Sequence, residues 1–321
     1  DKWNPQFRGR HLEKLMQLSR QSVSIGDEPP THVIWPETAT PLSLSTFPRA
    51  LKSVAQAAPV GGSLLTGAPR QSLPSQGPRK IWNSFHIVTA EGKIVETYDK
   101  HHLVPFGEYL PLSDVLSKFG LRAMVNSYGA SFTTGNGPYL IEVETDLRFQ
   151  PLICYEAIFP SILRATPSRP DFILQITNDA WFGRFSGPYQ HLQILKMRAI
   201  ETGLPVARSA NTGISAVISA NGTIVDSLPL ETEGSLELGL PKAFQPTIYY
   251  NNGDSIFFYI DRDKILSLEA DIMVQGSDLL IGARANQHGV SNPWNGDIAV
   301  SYTHLRAHET LRYLVCRLLL E

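Results

Sequence analysis

Short apolar runs that stop abruptly at a polar residue recur along this chain, and they restrict its fold more than any other feature. THVIWPE (31–37) closes at Pro36 and Glu37, LRFQPLICYE (147–156) at Cys154, and DFILQITND (171–179) at Asn178 and Asp179. Runs of about four to eight apolar residues bounded by turn signals fit buried strands. Helical spacing falls between them: Leu12, Leu15, Met16 and Leu18 near the start, residues 45–57, PSILRA, and a stretch from about Tyr189 to Thr202. GGSLLTG and LPVARSA read as further strands, and KIWNSFHIVTAEGKIVETYDK as two strands joined at Glu91-Gly92. YLIEVET is a strand ahead of the Cys154 run, and GISAVISANGTIVDS is a hairpin turned at Asn221-Gly222. Strands alternating with helices, with hairpins added, predict an α/β sandwich.

Composition narrows the function. With 321 residues, 42% of them hydrophobic, the chain can bury a sizeable core as one large domain or two smaller ones. Its 28 basic and 30 acidic residues nearly cancel and form no long single-sign run, so nucleic acid is not an expected partner. Two cysteines cannot build a disulfide framework, and His101 and His102 have no third ligand at metal spacing, so neither a metal nor a cofactor is expected. No apolar window reaches about 18 residues, and DKWNPQFRGRHLEKLMQLSR holds no signal-peptide core, so the chain is soluble in pattern.

Glu37, Lys100 and Cys154 each fall at the predicted carboxyl end of a strand, where α/β sheets gather their sites. A cysteine attacks carbonyls as thiolate, so it needs a base, and the Glu37 carboxylate is suited to take its proton. Lys100 supplies a fixed positive charge for a tetrahedral oxyanion, beside a backbone N–H near Tyr155. Together the three could make and break a thioester. Fast labelling of Cys154 at neutral pH, as a low-pKa thiol gives, would favour an enzyme over an inactive scaffold.

The stretch from HHLVPFGEYLP to SFTTGNGP is rich in Pro, Gly and aromatics and reads as an active-site lid with a short helix. NDAWFG places Asn178 and Asp179 at a strand end with Trp181 and Phe182 behind them, either as a turn plus core aromatics or in contact with substrate. RSANTGIS lines the site from behind. Each residue also has a plain reading: Cys154 as core filler, Lys100 solvated, Glu37 as a helix cap, Glu108 paired with His101 or His102, and Glu156 in the first turn of a helix.

WPET, YDKHHLVPFGEYLP, LICYEAIFP and NDAWFG together resemble the Glu-Lys-Cys motifs of the carbon-nitrogen hydrolase (nitrilase) superfamily. Within it the chain is most similar to the bacterial apolipoprotein N-acyltransferase branch, over roughly residues 1 to 240. The resemblance implies a four-layer α-β-β-α sandwich with Glu37 as base, Lys100 as the lysine and Cys154 as nucleophile. It places a further functional acid on Glu108, the Tyr-Glu pair after the cysteine on Tyr155 and Glu156, and a functional tryptophan on Trp3.

What it implies for activity is transfer of a fatty acyl chain from a phospholipid donor to the N-terminal amine of a diacylglyceryl-cysteine apolipoprotein. The setting it implies is the periplasmic face of the bacterial inner membrane, without a cofactor. An alternative is a soluble amidase or nitrilase that uses the same triad with water as acceptor. The apolar lid (Leu103, Val104, Phe106, Leu110, Leu112) suits acyl chains better than small polar amides. A third reading, an inactive scaffold, has no need of thiol, base and cation together.

The expected organisation is a catalytic domain over 1–242, with its first strand missing ahead of DKWNP. Residues 243–260 then lead towards a membrane segment, and 261–321 form a foreign or frame-shifted tail without the earlier strand rhythm, in which Cys316 is irrelevant. The chain reads as a fragment.

Overall fold

The computed structural model describes residues 5–21, 30–73, 75, 77–111, 131–143, 147–166, 168–244, 248–250, 255–260, 263–275 and 278–283. Period-two alternation sorts the apolar runs onto two faces, and two sheets result. In the first, β1 (His32–Ile34), β2 (Ser63–Gln71), β3 (Ile81–Thr89) and β4 (Ile94–Asp99) lie in sequence order, β1 parallel to β2 and the rest antiparallel. The second runs in the order β10-β9-β8-β7-β6-β5. Its strands are β5 (Ile141–Glu142), β6 (Arg148–Ile153), β7 (Phe172–Asn178), β8 (Val206–Asn211), β9 (Ser215–Ile218) and β10 (Ile224–Leu228). The central three, β6 to β8, are parallel, which aligns their carboxyl ends.

Three buried clusters define the layers. Leu65, Phe85 and Ile87 of the first sheet pack on Phe149, Ile153, Leu174 and Ile176 of the second, so the sheets meet face to face. Phe85 and Phe149 join across that seam edge to face, ring centroids 5.8 Å apart. The opposite face of the first sheet (Leu64, Ala68, Val88) is covered by Met16 of α1 (Pro5–Gln21) and Val54 of α2 (Pro48–Val54). The outer face of the second (Leu152, Ile173, Val206) is covered by α3 (Pro160–Arg164) and by Leu192, Leu195 and Ala199 of α4 (Ser186–Thr202). Each fully buried side chain of this size stabilises by about 1.5–3 kcal/mol before entropy is counted. The outcome is the four-layer α-β-β-α order.

Local chemistry sets the ends. α4 stops at Gly203 in the left-handed conformation, whose N–H reaches Ala199 and Ile200 carbonyls. Gly67 on β2 has ordinary φ but no room: a Cβ there would lie 2.6 Å from the Thr38 nitrogen and 2.7 Å from the Glu37 Cα. That close approach seats the segment after β1 against the sheet.

Contacts divide the chain into two units, Asp1–Tyr250 with Phe257–Leu266, and Asn251–Ile256 with Ser267–Glu321. Strands also form at Ile248–Tyr250, Ser255–Ile260, Asp263–Gln275 and Asp278–Ala283, the last two pairing antiparallel from Ala270↔Ala283 to Gln275↔Asp278. This departs from the expectation of no strand rhythm after Lys242. SIFFYI is rich in the aromatic and β-branched residues that strands favour. Trp3, Leu112 with the helix expected after it, and Cys316 lie outside the described residues.

Candidate active site

Glu37 follows β1, Lys100 follows β4 and Cys154 follows β6, so both sheets contribute chain ends to one place. Backbone geometry marks it. Five non-glycine residues among those described have positive φ, and three are Thr38 (48°), Phe106 (60°) and Cys154 (52°). Each such residue costs roughly 1–3 kcal/mol and persists only where its surroundings hold it.

Glu37 is buried and accepts hydrogen bonds from Asn83 Nδ2 at 2.7 Å and the Asn178 backbone N–H at 2.8 Å. Lys100 Nζ lies 3.9 Å from Glu37 Oε1, and 3.0 and 2.9 Å from the two carboxylate oxygens of Glu108. Glu108 also accepts from Asn83 Nδ2 at 2.8 Å and from the Val104 N–H at 2.8 Å. It therefore pairs with Lys100, not with His101 or His102. Lys100 is only 1% exposed. Burial alone disfavours its ammonium, but Glu37, the Cys154 sulfur and Glu108 outweigh that and hold it above the ordinary lysine range. Lys100 is a fixed cation here, not a solvated one.

Cys154 is buried, and its thiol is pushed up to about 12, first by burial and then by the Glu37 carboxylate. Lys100 and Thr177 pull it down, and Asp179 adds a smaller push upward. The balance favours the protonated thiol at rest. Excluding water raises the cost of the anion by more than one cation recovers. Among the charged groups that act on this sulfur, the Glu37 carboxylate is the first and the Lys100 ammonium the second.

Glu156 is fully buried and ties the two halves of the site together. Its Oε1 accepts from Tyr98 OH (3.0 Å) and from the N–H groups of His101 (2.8 Å) and His102 (3.1 Å), while Oε2 accepts from the Ile153 N–H (2.8 Å). Burial raises its pKa, against the pull of those N–H donors and of Lys100. It anchors the backbone after Lys100 to the turn at Cys154, a larger role than sitting in a helix's first turn. Tyr155 is half-buried, its ring edge-on to Phe159 at 5.2 Å and 6.4 Å from His102. Leu103 and Leu110 of the expected lid are buried, and Phe106 is 64% exposed.

Asn178 and Asp179 are buried at the end of β7, but Trp181 is 76% exposed and Phe182 and Phe185 also face out. Reading the aromatics of NDAWFG as lying behind the polar pair is thus corrected. The one-turn 3-10 helix Asp179–Phe182 and Gly183 at φ 67° carry the chain outward.

Sequence reasoning missed Asn83, Gln175, Thr177 and His191, all buried; Arg208, which opens the RSANTGIS stretch expected to line the site from behind, is buried as well. The available signal was a polar residue inside an apolar strand: Asn83 in IWNSFHIV, Gln175 and Thr177 in FILQITN, Arg208 in PVARSA. His191 had no such flag, because helix faces mix polar and apolar positions. Among the described residues no group of His, Cys, Asp and Glu could hold a metal ion, and no helix is long and apolar enough to cross a membrane.

Residues 11–243 match the family model described as carbon-nitrogen hydrolase. The apolipoprotein N-acyltransferase of Rhodopseudomonas palustris is 43% identical over 248 residues, covering 76% of this chain and 46% of that protein. The enzyme of the same name from Bradyrhizobium diazoefficiens is 42% identical over 258 residues, 79% of this chain and 48% of that protein. The chain thus spans about half the length of the curated relatives it matches. Among solved structures, a carbon-nitrogen hydrolase from Helicobacter pylori superposes with TM-score 0.54 at 15% identity, over 70% of this chain and 82% of that one, a likeness of fold.

Proposed function

The chain belongs to the carbon-nitrogen hydrolase family, and from that premise we propose that it is the catalytic part of a lipoprotein N-acyltransferase. The observation that carries this is a buried thiol, Cys154, set in the shared field of a carboxylate and an ammonium, in a chain about 40% identical to relatives that bear that enzyme's name.

The chemistry follows from the groups. Glu37 takes the Cys154 proton as sulfur attacks the phospholipid ester carbonyl and the C–S bond forms. Lys100 and the Tyr155 backbone N–H stabilise the oxyanion. The ester C–O bond then breaks, and Glu37 returns the proton to the departing lysophospholipid alkoxide. In the second half the N-terminal amine of a diacylglyceryl-cysteine lipoprotein attacks the thioester. The amide C–N bond forms, the C–S bond breaks, and the amine's proton passes through Glu37 to the thiolate.

Glu108 fixes Lys100, Glu156 fixes the turn, and Tyr155 and Trp3 contact substrate. The catalytic domain occupies 1–242, 243–260 leads towards a membrane segment, and 261–321 stand outside the chemistry. The domain works at the periplasmic face of the inner membrane, where donor and acceptor both lie.

The test is to incubate the protein with phospholipid in mixed detergent micelles, without acceptor, and to read the Cys154 peptide by mass spectrometry. A fatty acyl thioester on Cys154, lost in Cys154→Ser, is expected, because the second half-reaction lacks its substrate. No adduct from lipid, together with ammonia release from small amides, would replace this reading with the water-using hydrolase.

A further inference from the structure

Behind the nucleophile lies a closed ring of buried polar side chains that the proposed chemistry does not use: Asp179, His191, Gln175 and Arg208. Arg208 Nη2 donates to Asp179 Oδ2 at 2.5 Å, and its Nη1 donates to Gln175 Oε1. Asp179 Oδ1 lies 3.0 Å from His191 Nδ1, and His191 Nε2 lies 3.1 Å from Gln175 Nε2. The ring grips one backbone atom of the site. Gln175 Nε2 donates to the Cys154 carbonyl oxygen at 3.1 Å, and His191 Nε2 lies 3.2 Å from the same oxygen.

The chemistry of the partners fixes which way each group points. A guanidinium only donates, so Arg208 claims the Gln175 oxygen and turns the amide NH2 towards the Cys154 carbonyl. A carboxylate only accepts, so His191 carries a proton on Nδ1. In the neutral ring Nε2 then takes the second amide proton of Gln175; in the imidazolium it donates to the Cys154 carbonyl itself. Either form holds that oxygen. Packing does not require such a ring, because a buried Asp–Arg pair costs several kcal/mol of desolvation per ion and apolar residues would join α4 to this sheet at less expense.

Its consequence lies on the other side of the peptide. The Cys154 carbonyl and the Tyr155 N–H belong to one planar, trans peptide unit, so the two point in opposite directions. Side chains alternate along β7: Gln175 shares with Ile173 the face covered by α4, whereas Cys154 packs with Leu174 and Ile176 on the face between the sheets. Drawing the carbonyl towards α4 therefore turns the Tyr155 N–H to the side of the sulfur. Cys154 stands at φ 52°, a conformation that persists only where its surroundings hold it. We propose that Gln175 is a positioning residue for acyl transfer, fixing the Cys154 carbonyl so that the Tyr155 N–H is aimed at the oxyanion, with Asp179, His191 and Arg208 holding its amide. This rests on the reading of Cys154 as nucleophile and of the Tyr155 N–H as an oxyanion donor.

The experiment compares two reagents on Cys154 in the full chain, each read on the cysteine's own peptide in the same buffer. A p-nitrophenyl ester of a short fatty acid acylates sulfur through a tetrahedral oxyanion, whereas iodoacetamide alkylates it at a saturated carbon and forms none. Gln175→Met keeps the length and charge of the side chain and removes the donor. It should slow acylation by about tenfold, short of the roughly 10²-fold that loss of a whole oxyanion donor gives, and leave alkylation at the parental rate. Where the methionine variant does not fold, Gln175→Leu must show the same selective loss. Parental acylation in the variant, or acylation and alkylation slowed alike as a displaced thiol would give, overturns the proposal. An ester that leaves parental Cys154 unmodified overturns it together with the reading it rests on. The ester is not a phospholipid, so the lipid assignment is separable. Selective loss in a protein that traps no acyl group from phospholipid keeps Gln175's role and removes the lipid donor; a trapped acyl group with parental ester acylation in the variant does the reverse.

Discussion

At the scale of single residues, the site is a balance of buried charges, and Lys100 is the member on which the others depend. It is the cation beside Glu37 and Glu108 and the strongest force pulling the Cys154 thiol down. Lys100→Met keeps the length of the side chain but leaves the buried Glu37 carboxylate and the half-buried Glu108 carboxylate facing each other across Asn83. Acyl transfer to Cys154 should fall by about 10²-fold or more through loss of oxyanion stabilisation. Stability should fall by about 3–5 kcal/mol, because a buried charge has lost its partner. Single-turnover acylation and urea unfolding measure the two separately; a variant that unfolds like the parent and acylates at the parental rate would remove Lys100 from the mechanism.

Among the elements, β2 decides where the base stands. Its Gly67 N–H reaches the Pro36 carbonyl at 3.3 Å, and its missing Cβ is the space that Glu37 and Thr38 backbone occupies. Thr38 at φ 48° has little freedom to retreat. Gly67→Ala should therefore cost about 1–3 kcal/mol by overpacking and displace Glu37 from its bond with the Asn178 N–H. The expected signature is a lowered melting temperature together with slowed acylation. Gly92→Ala should lower the melting temperature without slowing acylation, since its φ of 77° strains an alanine in a hairpin remote from the site, where a Cβ finds only ordinary contacts with Lys52 and Ala55. If Gly67→Ala keeps the parental acylation rate, β2 does not set the position of Glu37.

For the whole molecule, His86 makes stability depend on pH. It is buried in β3 with Nδ1 3.0 Å from Thr97 Oγ1, and burial chiefly, then Arg70, lower its pKa from 6.5 to about 4, against the opposing pull of Asp99 and of the Ala68 backbone carbonyl. The folded state keeps it neutral while the unfolded chain takes a proton below about pH 6.5. Its contribution is thus complete above that pH and is lost as pH falls towards 4, by about 3 kcal/mol over the interval. Urea unfolding at pH 7 and pH 4.5 should show His86→Gln losing less stability on acidification than the parent; equal losses would assign the slope to other groups. The sequence by itself determined most strands and helices and brought Glu37, Lys100 and Cys154 forward as candidates at strand ends, because period, turn signals and strand ends are local properties of neighbouring residues. The start of α4 escaped it, since a helix start without a polar cap carries a weak local signal, and so did the strands after Lys242. Only the tertiary structure decided that Glu108 belongs to Lys100, that Glu156 joins two loops, and that Asn83, Thr177 and His191 stand at the site. The protonation of Cys154 was decided there too. Those facts depend on which groups lose water together, and burial is a property of the packed layers that no stretch of neighbouring residues contains.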